Sequence, residues 1–381
     1  MPQRGGGQTV MRDVKILHAA DLHLDSPFEG LPPGKASMRR SEQRELLSRL
    51  AALAREECVD LVLLAGDLLD SDNTYYETGT ELSRALGLIP APVFIAPGNH
   101  DWFSFKSPYA RLKLPENVYV FRSSEIECVP LRQLGVQVFG AAFTDRRSGP
   151  LLRGFTGERE DGLRNILCIH GDVGAKDSPY NPVSEADIAG SGMDYIGFGH
   201  VHRAGGLRKA GDTWYSWPGC PEGRGLDETG EKTVSVVTLN DTGCTLETRS
   251  IALRRYEDLR IDITGTEPLL AIHTSLPDET IRDVYRITLC GETDVSPNIG
   301  RIYDSLDELF FALQLRDETR LRADLWEHSG DDTLRGLFLK KLKEKFDAAR
   351  DDRERRMAEQ AARWGLAALD NREEVVRHDD P

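Results

Sequence analysis

The chain has 381 residues, and its 48 Lys and Arg against 63 Asp and Glu give a formal net charge of -15. With 39% hydrophobic and 29% charged residues, the composition is typical of a soluble globular protein of two or three domains and excludes fibrous and disordered classes. Such acidity also excludes a protein that holds nucleic acid through a uniformly basic coat, but it leaves room for a local anion site.

Residues 1–12 are polar and glycine-rich, and we expect them to form a disordered N-terminal arm. No stretch approaches the roughly 18 consecutive apolar residues that a membrane helix needs. The six cysteines form no CxxC and no close pair, a spacing typical of reduced packing residues. We therefore expect a cytoplasmic protein with no membrane partner.

A first domain is predicted over residues 13–255. It opens with strands at VKILHAA, VDLVLLAG and PVFIAPG, separated by helices near 38–57 and 76–87. The runs that follow are mostly strands: NVYVF, GVQVFGAAF, NILCIHG, DYIGFGH, TWYSWPG, TVSVVTL and TLETRSIAL. This pattern favours two facing sheets with helices outside them.

Residues 256–330 predict a small α+β domain, with strands at YEDLRIDITG and DVYRITLCGE, a short helix after Glu267 and a helix near 305–313. Residues 331–381 are predicted to be helical, with a second helical run near 351–369. Leu334, Phe338, Leu342 and Phe346 recur every four residues, as on one face of an amphipathic helix. The stretch 335–356 carries nine Lys and Arg against five Asp and Glu.

Chemistry-bearing residues cluster where predicted strands end. Five of the nine histidines lie in the clusters Asp21-Leu-His23, Gly98-Asn99-His100-Asp101, His170-Gly171-Asp172 and Gly199-His200-Val201-His202, and Gly66-Asp67-Leu-Leu-Asp70 adds two carboxylates. Residues two apart in a strand point to the same side, so each DxH or HxH pair can converge on one point.

These clusters offer carboxylate, imidazole and amide donors without thiolates, a set suited to Mn²⁺, Mg²⁺, Fe²⁺ or Zn²⁺. The donors are too many for one ion. Two ions roughly 3.5–4 Å apart, bridged by a carboxylate and a hydroxide, would use them all and would promote in-line attack on phosphorus. Asp67 is the expected bridge. Any one cluster alone is more often an ordinary turn, whereas the five together favour a metal centre.

The motifs DxH, GDxxD, GNHD, HG and GHVH, in this order, resemble the calcineurin-like metallophosphoesterase superfamily. The runs HAADLHLDSPFEG and YNPVSEADIAGSGMDYIGFGHVHR resemble more narrowly the SbcD-type DNA-repair exonucleases of the YhaO-like branch, most clearly over residues 14–220. The resemblance implies an α+β/α/β fold: a four-layer metallophosphoesterase β-sandwich flanked by helices, with a small α+β capping domain and C-terminal helices.

The resemblance also implies roles for individual residues. One ion would be held by Asp21, His23 and His202, the other by Asn99, His170 and His200, with Asp67 shared between the two. His100 would remain unliganded and would protonate the leaving oxygen or stabilise the transition state. Asp70 would accept a hydrogen bond from His100 and orient it, although some family members are expected to carry His in place of Asp70.

The function implied is that of a two-metal-dependent DNA exonuclease acting in repair, with a metal-bridging hydroxide as nucleophile and Mn²⁺ as the favoured ion. Lys106, Arg111 and Arg203 are candidate substrate contacts, the first two in a run of interleaved aromatic and basic residues that ordinary loop packing explains equally well. The further loop candidates for phosphate contact are Arg146, Arg147, Arg153 and Arg224, although a solvated surface is the better explanation of a single arginine. The alternatives are a phosphatase, a cyclic-nucleotide phosphodiesterase, and a non-catalytic subunit of a repair complex.

Three partners are implied by the same resemblance: DNA, a second copy of the chain in a homodimer, and a long coiled-coil ATPase of the SbcC or YhaN kind. The four-residue apolar repeat of residues 334–346 is the expected docking stripe for that ATPase. Plain packing on the small domain is the competing interpretation of the same repeat.

Overall fold

The structure is a computed structural model that describes residues 11–71, 74–293, 295–321 and 325–369. The arm predicted for residues 1–12 thus lies outside the described residues, apart from Met11 and Arg12. The chain divides into two compact units, Met1–Glu257 with Arg282–Val284 and Asp258–Ile281 with Tyr285–Pro381. Within the described ranges, no helix has the length and apolar character needed to cross a bilayer.

The strands follow the predicted positions closely, and several short ones are added to them. In chain order the strands are β1 (Val14–Ala19), β2 (Leu61–Leu64), β3 (Val93–Ile95), β4 (Val118–Val120), β5 (Glu127–Leu131), β6 (Val136–Gly140), β7 (Arg164–His170), β8 (Asp172–Val173), β9 (Pro182–Val183), β10 (Tyr195–Gly199), β11 (Arg208–Ala210), β12 (Thr213–Ser216), β13 (Val234–Asn240), β14 (Gly243–Arg249), β15 (Tyr256–Asp262), β16 (Val284–Cys290), β17 (Glu292–Thr293), β18 (Ala312–Asp317) and β19 (Arg320–Leu321).

The helices are α1 (Pro33–Glu56), α2 (Tyr76–Gly87), α3 (Pro108–Arg111), α4 (Glu185–Gly190), α5 (Pro268–Ser275), α6 (Ile299–Leu306), α7 (Leu334–Asp347) and α8 (Asp352–Leu369). Two 3₁₀ turns lie at Arg132–Leu134 and Asp307–Leu309. Helix α1 begins five residues before its predicted start, at a proline, whose fixed φ suits the first helical position.

Two six-stranded sheets build the first unit, in the orders β14-β13-β1-β2-β3-β4 and β11-β12-β10-β7-β6-β5. Strands β1 to β4 pair in parallel, as do β6, β7, β10 and β12. The register sets His18 beside Leu63 in the first sheet and Gly199 beside His170 in the second. Parallel pairing brings the carboxyl ends of these strands to one edge of each sheet.

Apolar side chains from both sheets form one buried cluster, in which Ile16 and Leu63 of the first sheet meet Val138 and Ile166 of the second. A separate buried cluster contains Leu46, Leu47 and Leu50 of α1 with side chains of the first sheet, and another contains Ile188 of α4 with side chains of the second. The order helix, sheet, sheet, helix confirms the predicted four-layer sandwich.

The second unit contains the three-stranded sheet β15-β16-β18, whose core includes Ile287, Leu289 and Ile302. The helix predicted near 305–313 is wrong. Helix α6 ends at Leu306 and β18 begins at Ala312. In β18, Leu313 and Leu315 pack on the core while Gln314 and Arg316 face solvent, a period-2 pattern.

Helices α7 and α8 pack on each other, with Leu339 and Ala362 buried between them. Phe338 and Leu342 pack against the same cluster, and the Phe346 ring lies 5.5 Å from that of Trp326. Three of the four residues of the predicted docking stripe are therefore partly covered within this region. The fourth, Leu334, is 74% exposed.

Candidate metal centre

The polar clusters lie in loops that leave β1, β2 and β3 of the first sheet and β7 and β10 of the second. Four cluster residues have positive φ: Asp21 (55°), His23 (43°), Asp67 (51°) and His200 (95°). For residues that carry a Cβ, such backbone costs on the order of 1–3 kcal/mol each and concentrates at functional sites. The fold therefore holds these four residues in conformations that their local sequence disfavours.

Glycines allow the loops to come together. A Cβ at Gly199 would lie 1.9 Å from the Ala65 carbonyl oxygen, and one at Gly66 would lie 2.4 Å from His170 Nδ1. Any larger residue at either position would push apart the backbone segments that the two sheets bring to the site.

The first group of candidate ligands is Asp21, His23 and His202, whose donor atoms all lie within 4.8 Å of one another. Asp21 and His23 are fully buried. The Nε2 atoms of His23 and His202 are 3.2 Å apart, so two imidazoles aim ring nitrogens at one point. A cation between them would satisfy both lone pairs.

The second group is Asp67, His170 and His200, with the same 4.8 Å limit on donor separation. Asn99 joins it, because its Oδ1 lies 3.0 Å from His170 Nε2 and 3.1 Å from His200 Nδ1. Asp67 Oδ2 lies 3.4 Å from His170 Nε2 and 3.8 Å from His23 Nε2. It thus stands between the two groups, at the place expected of a bridging carboxylate.

Burial sets the protonation of several of these groups. It lowers the pKa of His23 to about 4 and that of His200 to about 4, so both imidazoles are neutral near pH 7, the form that binds metal. Burial also raises the pKa of Asp21 to about 6. Burial therefore disfavours the charged form of Asp21, and a bound cation would stabilise that form.

The pair Asp67 and His170 behaves differently. Burial favours neutral forms of both, but their mutual attraction outweighs it, holding the pKa of Asp67 well below its usual value and raising the pKa of His170 to about 9. Without metal, the His170 proton compensates Asp67. A cation bound by both residues would have to displace that proton.

His100 lies at the open side of the cluster, with 41% of its side chain exposed. Its Nδ1 is 3.1 Å from the backbone carbonyl oxygen of Asp70 and 3.9 Å from the nearer Asp70 carboxylate oxygen. That carboxylate instead lies 3.0 Å from His23 Nδ1. Asp70 thus contacts His100 through its backbone carbonyl group, whereas its carboxylate, which was predicted to orient His100, is directed to a candidate ligand.

Asp101, the last residue of GNHD, is buried and ties two loops together. Its carboxylate accepts hydrogen bonds from the backbone N–H groups of Gly98 (2.7 Å) and Leu68 (2.8 Å) and from the Tyr109 hydroxyl (2.5 Å). The GNHD motif includes this residue, but no nearby sequence pattern predicts its hydrogen-bond partners, which come from other parts of the fold.

Glu228 was missed as part of the site, and Arg224 was predicted only as one of several loop arginines that could contact phosphate. Glu228 Oε1 lies 2.7 Å from His202 Nδ1 and 2.7 Å from Arg224 Nη2. Burial opposes ionisation of Glu228, but its hydrogen bonds from His202 and Arg224 hold its pKa well below the usual value. The loop Gly223–Gly230 contains no recognisable motif, and only three-dimensional proximity identifies it.

The predicted substrate contacts Lys106, Arg111 and Arg203 are all exposed. The Arg111 guanidinium donates to the Lys106 carbonyl, which holds the 106–111 segment in a turn. Among the described residues, no hydrogen bond links these three side chains to the candidate ligands.

The donor set fits a pair of divalent ions. Seven oxygen and nitrogen ligands converge from five loops, the central carboxylate faces both groups, and the imidazoles that are neutral near pH 7 present free ring nitrogens.

Comparisons with known proteins agree with this geometry. The family model described as calcineurin-like phosphoesterase matches residues 14–204. The uncharacterized metallophosphoesterase YhaO of Bacillus subtilis is 28% identical over 284 residues, covering 71% of this chain and 68% of YhaO.

Two DNA-repair proteins are also similar. The DNA double-strand break repair protein Mre11 of Methanosarcina mazei is 24% identical over 266 residues, covering 67% of this chain and 41% of Mre11. The SbcD component of the nuclease SbcCD of Rhodobacter capsulatus is 33% identical over 132 residues, covering 33% of this chain and 27% of SbcD. The chain thus spans less than half the length of these two relatives.

Proposed function

The chain belongs to the calcineurin-like phosphoesterase family, and from that premise we propose that it is a two-metal-dependent DNA exonuclease that hydrolyses phosphodiester bonds in DNA repair. The observation that carries the proposal is the buried convergence of two ligand groups on one carboxylate, Asp67. Similarity to Mre11 and to the SbcD component of the nuclease SbcCD supports DNA as the substrate.

In this proposal Asp21, His23 and His202 hold one divalent ion, Asn99, His170 and His200 hold the other, and Asp67 binds both. Two such ions supply Lewis acidity at the phosphoryl oxygen and lower the pKa of the attacking water. Nitrogen and oxygen donors without thiolate favour Mn²⁺, with Mg²⁺, Fe²⁺ and Zn²⁺ as competitors.

His100 is the proposed proton donor to the leaving alcohol oxygen. Its Nδ1–H donates to the Asp70 carbonyl, which orients the ring. His100 would transfer a second proton, carried on Nε2, to the leaving oxygen. Its exposure on the open side of the cluster allows a phosphodiester to approach. General acid catalysis of this kind contributes about 10²- to 10⁴-fold in rate.

Local charge reconciles a DNA substrate with an acidic protein. Two divalent ions carry four positive charges against the two negative charges of Asp21 and Asp67, so the site attracts a phosphodiester although the chain as a whole has a net charge of -15. The proposed phosphate contacts are the exposed residues Lys106, Arg111 and Arg203, which follow the candidate ligands Asn99 and His202 in the sequence. We expect weak DNA binding that falls steeply with salt.

The hairpin of α7 and α8 is the proposed docking surface for a coiled-coil ATPase of the SbcC or YhaN kind. Its exposed large apolar residues include Leu334, Leu337, Met357 and Trp364, and the basic stretch 335–356 belongs to the same hairpin. Apolar anchors among basic residues suit an acidic amphipathic helix. This surface replaces the stripe predicted from the sequence.

The test is an assay of the purified chain on end-labelled linear and hairpin DNA with Mn²⁺, beside a chromogenic phosphate monoester and a cyclic nucleotide. We expect DNA cleavage that chelation abolishes. Preference for the monoester or the cyclic nucleotide would overturn the nuclease assignment in favour of a phosphatase or cyclic-nucleotide phosphodiesterase. Metal binding without hydrolysis of any substrate would instead indicate a non-catalytic role in a repair complex.

A further inference from the structure

The two ligand groups are held in place by different kinds of partner. In the second group, His170 Nδ1 donates to the backbone carbonyl of Ala65 at 2.9 Å, and His200 Nδ1 faces Asn99, which is itself a candidate ligand. In the first group, both imidazoles meet carboxylates that bind no metal in the proposed centre. His23 Nδ1 lies 3.0 Å from Asp70 and His202 Nδ1 lies 2.7 Å from Glu228.

Arg224 joins these two carboxylates. Its Nη2 and backbone N–H donate to Glu228 at 2.7 and 2.8 Å, and its Nη1 reaches Asp70 Oδ1 at 3.4 Å. The three side chains are largely enclosed, with exposures of 6% for Glu228, 19% for Arg224 and 22% for Asp70. One guanidinium thus compensates both carboxylates and holds them at a fixed separation.

We propose that Asp70, Arg224 and Glu228 form a clamp of positioning residues that sets the affinity of one ion of the pair, the ion held by Asp21, His23 and His202. A carboxylate that accepts from the far nitrogen of an imidazole fixes the ring and its tautomer, so the other nitrogen presents its lone pair to the metal. The clamp does this for two ligands of the same ion. The inference rests on the proposed two-metal centre and adds an asymmetry between its two halves.

Loss of the clamp should lower the affinity of one ion and leave that of the other unchanged. Loss of an outer partner of this kind costs about 10- to 100-fold in metal affinity. The second group has other neighbours: the Ala65 carbonyl, its own ligand Asn99 and, at 3.9 Å from His200 Nε2, the Asp172 carboxylate. Because none of these belongs to the clamp, a side-chain change in the clamp should weaken only one of the two ions.

The decisive variant is Glu228→Gln, with Glu231→Gln as its matched control. Glu231 lies three residues away in the same loop and is exposed. Its substitution by Gln removes the same charge as Glu228→Gln. Full-length proteins are stripped of metal and titrated with Mn²⁺ by calorimetry, and electron paramagnetic resonance follows spin coupling between the two ions. We expect wild type and E231Q to bind two ions with similar affinity. For E228Q we expect one ion to bind as in wild type and the other about 10- to 100-fold more weakly. At Mn²⁺ concentrations that leave the weakened site mostly empty, the spectrum should be that of an isolated Mn²⁺ ion.

Double variants assign the affected ion. Because Glu228 acts through His202, adding Glu228→Gln to His202→Ala should lower affinity no further. Added to His200→Ala, it should weaken the remaining ion, since the two changes then act on different halves of the centre.

Three results would overturn the clamp: unchanged affinity in E228Q, equal weakening of both ions, or loss of the ion that His200→Ala also loses. Far-ultraviolet circular dichroism checks folding, and Asp70→Asn, at a more exposed position, carries the same test if E228Q fails to fold. Failure of the metal centre itself shows separately, as fewer than two ions bound by wild type. Failure of the nuclease assignment shows as two bound ions without DNA cleavage.

Discussion

The strand-end loops of the first unit and the α7–α8 hairpin of the second place side chains in opposite kinds of environment. The loops bury polar groups: Asp21, His23 and His170 are fully enclosed. The hairpin exposes large apolar ones, with Leu334 74% and Trp364 56% exposed. Each arrangement costs stability by itself, and each suits the partner proposed for it: cations for the loops and another protein for the hairpin.

The largest effect is expected from removing the shared carboxylate. Asp67→Asn should lower DNA cleavage by about 10³-fold or more, because loss of metal binding removes several kcal/mol of transition-state stabilisation and each 1.4 kcal/mol is a factor of ten. Calorimetric titration with Mn²⁺ should show that both ions bind weakly. Tight binding of two ions by this variant would contradict the bridging role.

Next in size is the proposed proton donor. His100→Ala should lower kcat by about 10²-fold or more while two ions still bind, since the proposed centre assigns His100 to neither ion although its ring lies close to His23 and Asp67. Single-turnover cleavage with saturating Mn²⁺ measures the rate, and metal analysis provides the control. Full activity of H100A would exclude it as the general acid.

The buried anchor of the loops should affect folding more than chemistry. Asp101→Asn replaces an acceptor of four backbone N–H groups and the Tyr109 hydroxyl with a group that is partly a donor. We expect a loss of about 2–3 kcal/mol in the free energy of unfolding, read from urea titration of the metal-free protein. A loss below about 0.5 kcal/mol would show that the loops do not depend on this carboxylate.

Metal affinity should depend on pH because protons compete with the cations. The pKa of His170 is raised to about 9 by Asp67, so Mn²⁺ affinity should rise by about tenfold per pH unit from pH 6 to 8. Below pH 6 the dependence should steepen, because burial raises the pKa of Asp21 to about 6 and a second proton must leave. Calorimetry between pH 5.5 and 8 measures both slopes, and a flat profile would contradict the proposed ligands.

The smallest effect is expected in the α7–α8 hairpin. Trp364→Ser removes an exposed aromatic side chain from α8, so the free energy of unfolding should change by no more than about 0.5 kcal/mol. Ala362→Ser, whose side chain is fully buried in the same helix, is the internal reference and should cost more. Equal losses would show that Trp364 packs on the fold and is not available to a partner.

Local pattern predicted much of the first unit. Alternating strand and helix signals placed the strands of both sheets, and helix α2 spans its predicted residues, Tyr76–Gly87. The two sheets face each other between outer helices, so the apolar runs of their strands are buried on both sides. The second unit was harder, because the short apolar run at Ala312–Asp317 fits a helix or a strand until its neighbours in the sheet are known.

The four apolar residues of α7 illustrate the same limit. Their spacing indicates one helix face, but spacing does not say what covers it. In the structure α8 and Trp326 cover most of that face, and the exposed apolar residues lie at other positions of the hairpin.

By itself, the sequence determined which residue types stand at which strand ends, because strands, their terminal glycines and the clusters that follow them are encoded within a few residues of each other. Only the tertiary structure decided their partners. The Asp70 carboxylate meets a histidine 47 positions away, and Glu228 meets one 26 positions away. Such pairings arise where loops from two sheets meet at one edge, and no local pattern of polarity or spacing records them.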